Sequence, residues 1–101
     1  MKISVIIVSY NCKAFLDYCL QSVSKALKQI DSEILVIDNC STDGSIEYLK
    51  SKKYDFRIIE NKENLGFSKA NNKAAKLAKG EYLFFLNPDT IIPEDLIESF
   101  F

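Results

Sequence analysis

The chain has 101 residues, 48% of them hydrophobic and 27% charged, which suits one compact domain with an ordinary core and no disorder. Basic and acidic residues number 13 and 14, and the formal net charge of -1 argues against a nucleic-acid partner, which needs a basic surface. There is no histidine, and Cys12, Cys19 and Cys40 form no CxxC pair, so zinc sites built on Cys and His, and His-dependent nucleophilic catalysis, are excluded.

Residues 3–8 are a short apolar, β-branched run, the pattern of a buried parallel strand. One lysine precedes the run and no small-residue cleavage site follows it, so it reads as a strand and not as a signal peptide. Over residues 14–30, Phe15, Leu16, Cys19, Leu20, Val23, Leu27 and Ile30 recur at helical spacing, with Asn11 where a cap is wanted. A second buried-strand run, 34–37, ends at Asp38, and the polar NCSTDGS cluster leads into a short helix carrying Ile46 and Leu49. Residues 56–59 form a third, weaker strand, followed by a loop over 60–66 in which Asn64 is placed to cap the next helix.

That helix, 67–79, sets Ala70, Ala74, Leu77 and Ala78 against a lysine face, and Gly80 fits the left-handed position past a helix end. Residues 82–86 are the fourth and most apolar strand, stopped by Asn87-Pro88-Asp89. Pro93 suits the first position of a final helix, with Glu94 and Asp95 in its first turn. Lysines gather at 50, 52 and 53 and again at 69, 73, 76 and 79, and both groups read as solvated faces. No apolar stretch approaches the length of a membrane span, and the odd number of thiols points to a reducing, cytoplasmic compartment.

The β-α-β-α-β-α-β-α order predicts a parallel sheet with helices on both faces and right-handed crossovers. Ligands in such sheets bind at the carboxyl ends of the strands, where the strand order reverses. Those ends read Ser9-Tyr10-Asn11, Asp38-Asn39, Glu60-Asn61 and Asn87-Pro88-Asp89. The three glycines make neither GxGxxG nor GxxxxGK[ST], which disfavours Rossmann dehydrogenases and P-loop NTPases. On local chemistry alone Asn87-Pro88-Asp89 is a type I turn. Likewise Asp38-Asn39 opens a turn in which Ser41 or Thr42 caps a helix. Tyr10 either lies against a ligand ring or packs between helix and sheet. Lys69 is either a surface lysine or a phosphate contact.

The segments VSYN (8–11), VIDNCSTDGS (36–45), ENLGFSKANNKA (63–74) and GEYLFFLNPDT (80–90) together resemble family 2 glycosyltransferases, in the family's order and spacing. The similar subgroup is rhamnosyltransferase-like, with Asn-Pro-Asp in place of Asp-x-Asp. The resemblance implies a GT-A fold, a Rossmann-like three-layer α/β/α arrangement with a mostly parallel sheet, of which residues 1–101 form the N-terminal nucleotide-sugar-binding part. It implies that Asp89 ligates a divalent cation, Mg2+ or Mn2+, bridging to the donor's diphosphate, while Asn87 supplies weaker metal or sugar-hydroxyl contacts. Asp38 or Asn39 then reads the pyrimidine. Ser9, Tyr10, Asn11, Asn64, Gly66 and Asn71 line the nucleotide sugar, with Gly66 serving a backbone conformation.

The implied reaction transfers a sugar from a nucleoside-diphosphate donor to a hydroxyl of a glycan or lipid-linked acceptor, with inversion. Its setting is polysaccharide or other cell-surface glycan synthesis, at the inner face of the membrane. The general base and the acceptor half are expected outside these residues, and Glu94, Asp95 and Glu98 are not assigned as base. A fragment of this kind is expected to bind nucleotide without turnover and to self-associate through Phe100 and Phe101. A non-catalytic nucleotide-binding or interaction module and a nucleotidyltransferase-like protein are the alternatives.

Overall fold

A computed structural model describes residues 2–52 and 55–101; Lys53, part of the first lysine group, lies outside them. The elements run β1 (Ile3–Ser9), α1 (Lys13–Ala26), β2 (Ser32–Asp38), α2 (Ser45–Ser51), β3 (Arg57–Glu60), α3 (Phe67–Leu77) and β4 (Tyr82–Leu86), with a short 3-10 helix at Glu98–Phe100. The four strands form one sheet in the order β3-β2-β1-β4, and every pairing is parallel. After stepping outward from β1 to β3, the chain returns to pair β4 on the free side of β1. The order therefore reverses between β1 and β4.

Both faces of the sheet are covered, giving the expected three layers. On one face Ile3, Val5, Ile7, Ile34 and Val36 meet Leu16, Cys19, Leu20 and Val23 of α1, Leu49 of α2, and Ile92 and Ile97 from the C-terminal turns. On the other, Ile6, Val8, Leu35 and Ile37 meet Ala70 and Ala74 of α3, with Ile59 and Ala78 packed against them. Small side chains let α3 lie close to the sheet, and burial of each large aliphatic residue contributes about 1.5–3 kcal/mol.

Several local expectations change. Helix α1 stops at Ala26 and not at residue 30, because the chain tightens into successive turns that return Ile30 to the core (Lys28 N–H to Lys25 C=O, Ile30 N–H to Leu27 C=O). Phe15 belongs to no core stripe and is exposed. Cys12, not Asn11, is the N-cap of α1, since Asn11 takes the left-handed conformation with φ 52°. Neither Ser41 nor Thr42 caps α2; its N-cap is Gly44, and the Ser45 N–H is held by Asp43 Oδ1 at 3.0 Å. Gly66, not Asn64, is the N-cap of α3.

Gly80 is not the left-handed residue after α3, which ends at Leu77 with an extended Ala78. Its role is close approach: a Cβ there would lie 2.5 Å from the Ser4 nitrogen. No α-helix starts at Pro93; residues 94–97 are turns leading to the 3-10 helix. β4, the most apolar strand, is also the most exposed. It is an edge strand, and Leu83 and Phe85 lie beyond the reach of α3.

Candidate functional site

The carboxyl ends of β1 and β2 are bound together before any ligand is considered. Their in-register pairing runs to Ser9 and Asp38, and the Asn39 N–H continues it with a bond to the Ser9 carbonyl at 2.8 Å. Beyond that point the two loops interlock. The Asn11 N–H donates to Ser41 Oγ at 2.9 Å, the Thr42 N–H to Asn11 Oδ1 at 2.8 Å, and the Lys13 N–H to Asp43 Oδ2 at 3.0 Å. Asn11 and Cys40 both sit at positive φ, 52° and 65°. Asparagine tolerates that region better than most residues, but cysteine has no local means of offsetting it, so strain is stored at this strand end.

Asp38 is buried at 1% exposure and its carboxylate receives the Ser41 N–H at 2.8 Å and the Ser41 hydroxyl at 2.7 Å. Each oxygen keeps acceptor capacity for a further donor. Asp43 is drawn upward by partial burial, yet bonds from the Ser45 hydroxyl and from backbone N–H groups outweigh this and hold its carboxyl below the usual range. Ser9 is fully buried, and its hydroxyl has no partner among the described residues. Tyr10 is 49% exposed, so of its two readings packing between helix and sheet is excluded.

The loop after β3 is tied to the same strand end. The Asn61 N–H donates to the Asp38 carbonyl at 2.9 Å, and Asn39 turns its side chain inward, where it bonds Gly66, Asn61 and Leu65. Asn64 is exposed and accepts the Gly66 N–H at 2.8 Å; Asn71 on α3 is half-buried, and Lys69 is exposed. Asn61 and Lys73 are the participants that the strand-end pattern under-read. Asn61 was visible as a polar strand end, whereas nothing local marks Lys73, whose ammonium reaches Asn61 Oδ1 at 2.6 Å.

Across the order reversal, β4 ends at the turn carrying Asn87, Pro88 and Asp89, closed by the Thr90 N–H to Asn87 C=O bond at 3.1 Å. The turn rests on α1: the Cys19 thiol faces the Asn87 carbonyl at 3.8 Å, and Ser22 Oγ accepts the Ile92 N–H at 3.1 Å. Burial, and then the nearby Asp89 carboxylate, push the Cys19 thiol up to about 11. Asn87 and Asp89 are both exposed. Among the described residues no group of three or more Cys, Asp and Glu side chains is placed to hold a metal ion. A hard cation at Asp89 thus fits only where diphosphate and water oxygens complete its shell. A depression of about 630 Å3 is lined by Lys13, Ser41, Thr42, Gly44, Glu47, Tyr48 and Ser51, and Ser9, Asp38, Asn87 and Asp89 are not among its lining residues.

The profile of Glycosyl transferase family 2 matches residues 4–101. A Poly(ribitol-phosphate) beta-glucosyltransferase of Bacillus spizizenii is 38% identical over 96% of the chain, which covers 16% of that protein. Among solved structures, S. aureus TarS 1-349 in complex with UDP-GlcNAc superimposes with a TM-score of 0.86 at 29% identity, covering 98% of this chain and 30% of its own. The mannosyltransferase PcManGT from Pyrobaculum calidifontis, in complex with GDP-Man and Mn2+, gives a TM-score of 0.82 at 25% identity over 93% of this chain and 29% of its own. The chain thus spans a third or less of each relative. It belongs to glycosyl transferase family 2.

Proposed function

We propose that this family 2 chain forms the donor half of a glycosyltransferase active site. In this reading it binds a nucleoside-diphosphate sugar at the carboxyl ends of β1, β2 and β4 for inverting transfer to a hydroxyl. The observation that carries the reading is convergence. The polar ends of β1, β2 and β4, distant in sequence, lie side by side on one end of the sheet, across the point where its order reverses, in a chain whose structural neighbours include nucleotide-sugar complexes.

Each residue then has a task its environment suits. The exposed Tyr10 ring stacks on the base. Asp38, oriented by Ser41, offers a charge-assisted acceptor to a base N–H once the loop yields access. Asn11, Asn64, Gly66 and Asn71 wall the donor, and Asn87 faces the sugar or the metal. The buried Ser9 hydroxyl, without a hydrogen-bond partner among the described residues, is available to a ligand atom or a water at the base of the site. Asp89 holds the cation, which when bound offsets charge on the departing diphosphate. The Asn87-Pro88-Asp89 triplet supports a rhamnosyltransferase-like subgroup.

The proton of the attacking hydroxyl goes to a carboxylate that the rest of such an enzyme supplies, so residues 1–101 alone bind donor and do not transfer. Relatives named for a polymer acceptor support a glycan or lipid-linked acceptor in cell-surface polysaccharide synthesis. Three free thiols support a cytoplasmic setting, at the membrane's inner face. The exposed rings of Tyr82, Phe85, Phe100 and Phe101 support self-association, which gel filtration across a range of concentrations would reveal.

Calorimetric titration of UDP, dTDP and GDP, first with Mn2+ and then with EDTA, tests the core of the reading. One nucleotide should bind only with metal, and Asp89→Ala should abolish that dependence. Folded protein that binds none of the three refutes the donor-site assignment.

A further inference from the structure

Asp43 lies in the turn after β2, yet half of its carboxylate serves a distant part of the chain. Its Oδ2 accepts the N–H of Lys13, the first residue of α1, at 3.0 Å. Its Oδ1 accepts the N–H of Ser45, the first residue of α2, at 3.0 Å, and also the Ser45 hydroxyl. Neither helix has a capping bond from its own N-cap side chain, for Cys12 and Gly44 stand at those positions without one. One carboxylate therefore takes up a free backbone donor at the start of each helix. It also brings negative charge to the start of α1, whose first turn holds no acidic residue and opens on Lys13.

Two further bonds tie the same segments together. The Asn11 N–H donates to Ser41 Oγ, whose hydroxyl bonds Asp38, and the Thr42 N–H donates to Asn11 Oδ1. Asn11 stands at φ 52°, so residues 10–12 leave β1 in a conformation that such ties must maintain. Tyr10 is carried on this segment, between Ser9, the register partner of Asp38, and the ties at Asn11 and Lys13. Its side chain is half exposed, so the backbone that carries it decides where the ring stands.

We infer that Asp43 is a positioning residue for the nucleotide base: it fastens the start of α1 to the 41–45 segment and so sets where the Tyr10 ring stands beside the end of β2. The inference rests on the donor-site reading above and adds to it a residue that acts through Tyr10.

Two variants and two readouts test it. Asp43→Ala removes both bonds. Asp43→Asn keeps one acceptor oxygen, which the two Ser45 donors claim, and so releases Lys13 alone. In both, backbone order parameters over residues 10–13 should fall from about 0.85 toward 0.6. Affinity for UDP or GDP with Mn2+, whichever the parent chain binds, should drop about tenfold, the scale of one hydrogen bond to a charged group. On a Tyr10→Ala background the same substitutions should cost less than about threefold, because a ring already absent cannot be misplaced. A merely structural role for Asp43 would show no such dependence on Tyr10.

An equal loss of affinity on both backgrounds overturns the inference. So does affinity within about twofold of the parent when residues 10–13 have loosened, or an unchanged order of those residues in both variants. Should Asp43→Ala fail to fold, Asp43→Asn carries the same comparisons. A parent chain that binds no nucleotide refutes the donor-site reading and this inference with it, whereas a parent that binds beside variants that bind equally well refutes the inference alone.

Discussion

Tyr10 and Cys19 show how differently single residues near this site are placed. The Tyr10 ring is half open to solvent, and loss of a stacking ring costs about 1–3 kcal/mol of nucleotide binding. Tyr10→Ala should weaken the titrated nucleotide accordingly, while Tyr10→Phe should keep its affinity; equal affinities for all three proteins would end the stacking role. Cys19 is the opposite case. Its thiol is fully buried under the 87–90 turn and raised from 9.0 to about 11, first by burial and then by Asp89. At pH 8 iodoacetamide should label the exposed Cys40 and spare Cys19, as mass spectrometry of the digested protein would report.

At this scale the sequence was legible at strand ends where a polar residue follows an apolar run, as at Asp38 after residues 34–37 and at Asn87 after residues 82–86. The inward turn of the Asn39 side chain was not, because only the folded chain brings its partners Asn61 and Gly66 near.

Between elements, the junction of α3 with β4 is the tightest feature. Glu33 accepts the Ser4 hydroxyl at 2.6 Å and the Lys79 N–H at 2.6 Å and pairs with Arg57 at 3.3 Å, while Ser4 Oγ also receives the Gly80 N–H. Burial works to raise the Glu33 carboxyl, but these bonds outweigh it and hold the group below its ordinary 4.5. A depressed carboxyl stabilises the fold above its unfolded value, and that stabilisation fades as pH falls through the folded one. Glu33→Gln should therefore melt earlier than the parent at pH 7, with the gap closing below about pH 4. A gap that widens on acidification would contradict this linkage.

Gly80→Ala forces a Cβ against the Ser4 backbone, which cannot retreat from the middle of the sheet, and should cost about 1–3 kcal/mol in denaturant unfolding. Helical periodicity announced the three α-helices, but their ends followed tertiary demands. Ile30 turns back to the core and shortens α1, and Gly80 is chosen for its lack of a side chain, not for helix capping.

For the whole molecule, strand and helix alternation dictated the parallel sheet and its two covered faces, because each crossover must pack its helix back on the sheet. The order β3-β2-β1-β4 reverses between β1 and β4, and the strand ends beside that reversal are where we propose that the donor binds. Exposure of β4 escaped the sequence reading, because an apolar strand at an edge reads the same as one in the middle. Donor binding at these strand ends is the proposal on which the other roles depend. The most direct measurement is a backbone amide NMR titration with the nucleotide and a trace of paramagnetic Mn2+. Broadening should centre on Asp89, with shifts confined to residues 9–11, 38–42, 64–71 and 87–90. Shifts gathered instead around Lys13, Glu47, Tyr48 and Ser51, with Asp89 unbroadened, would contradict it.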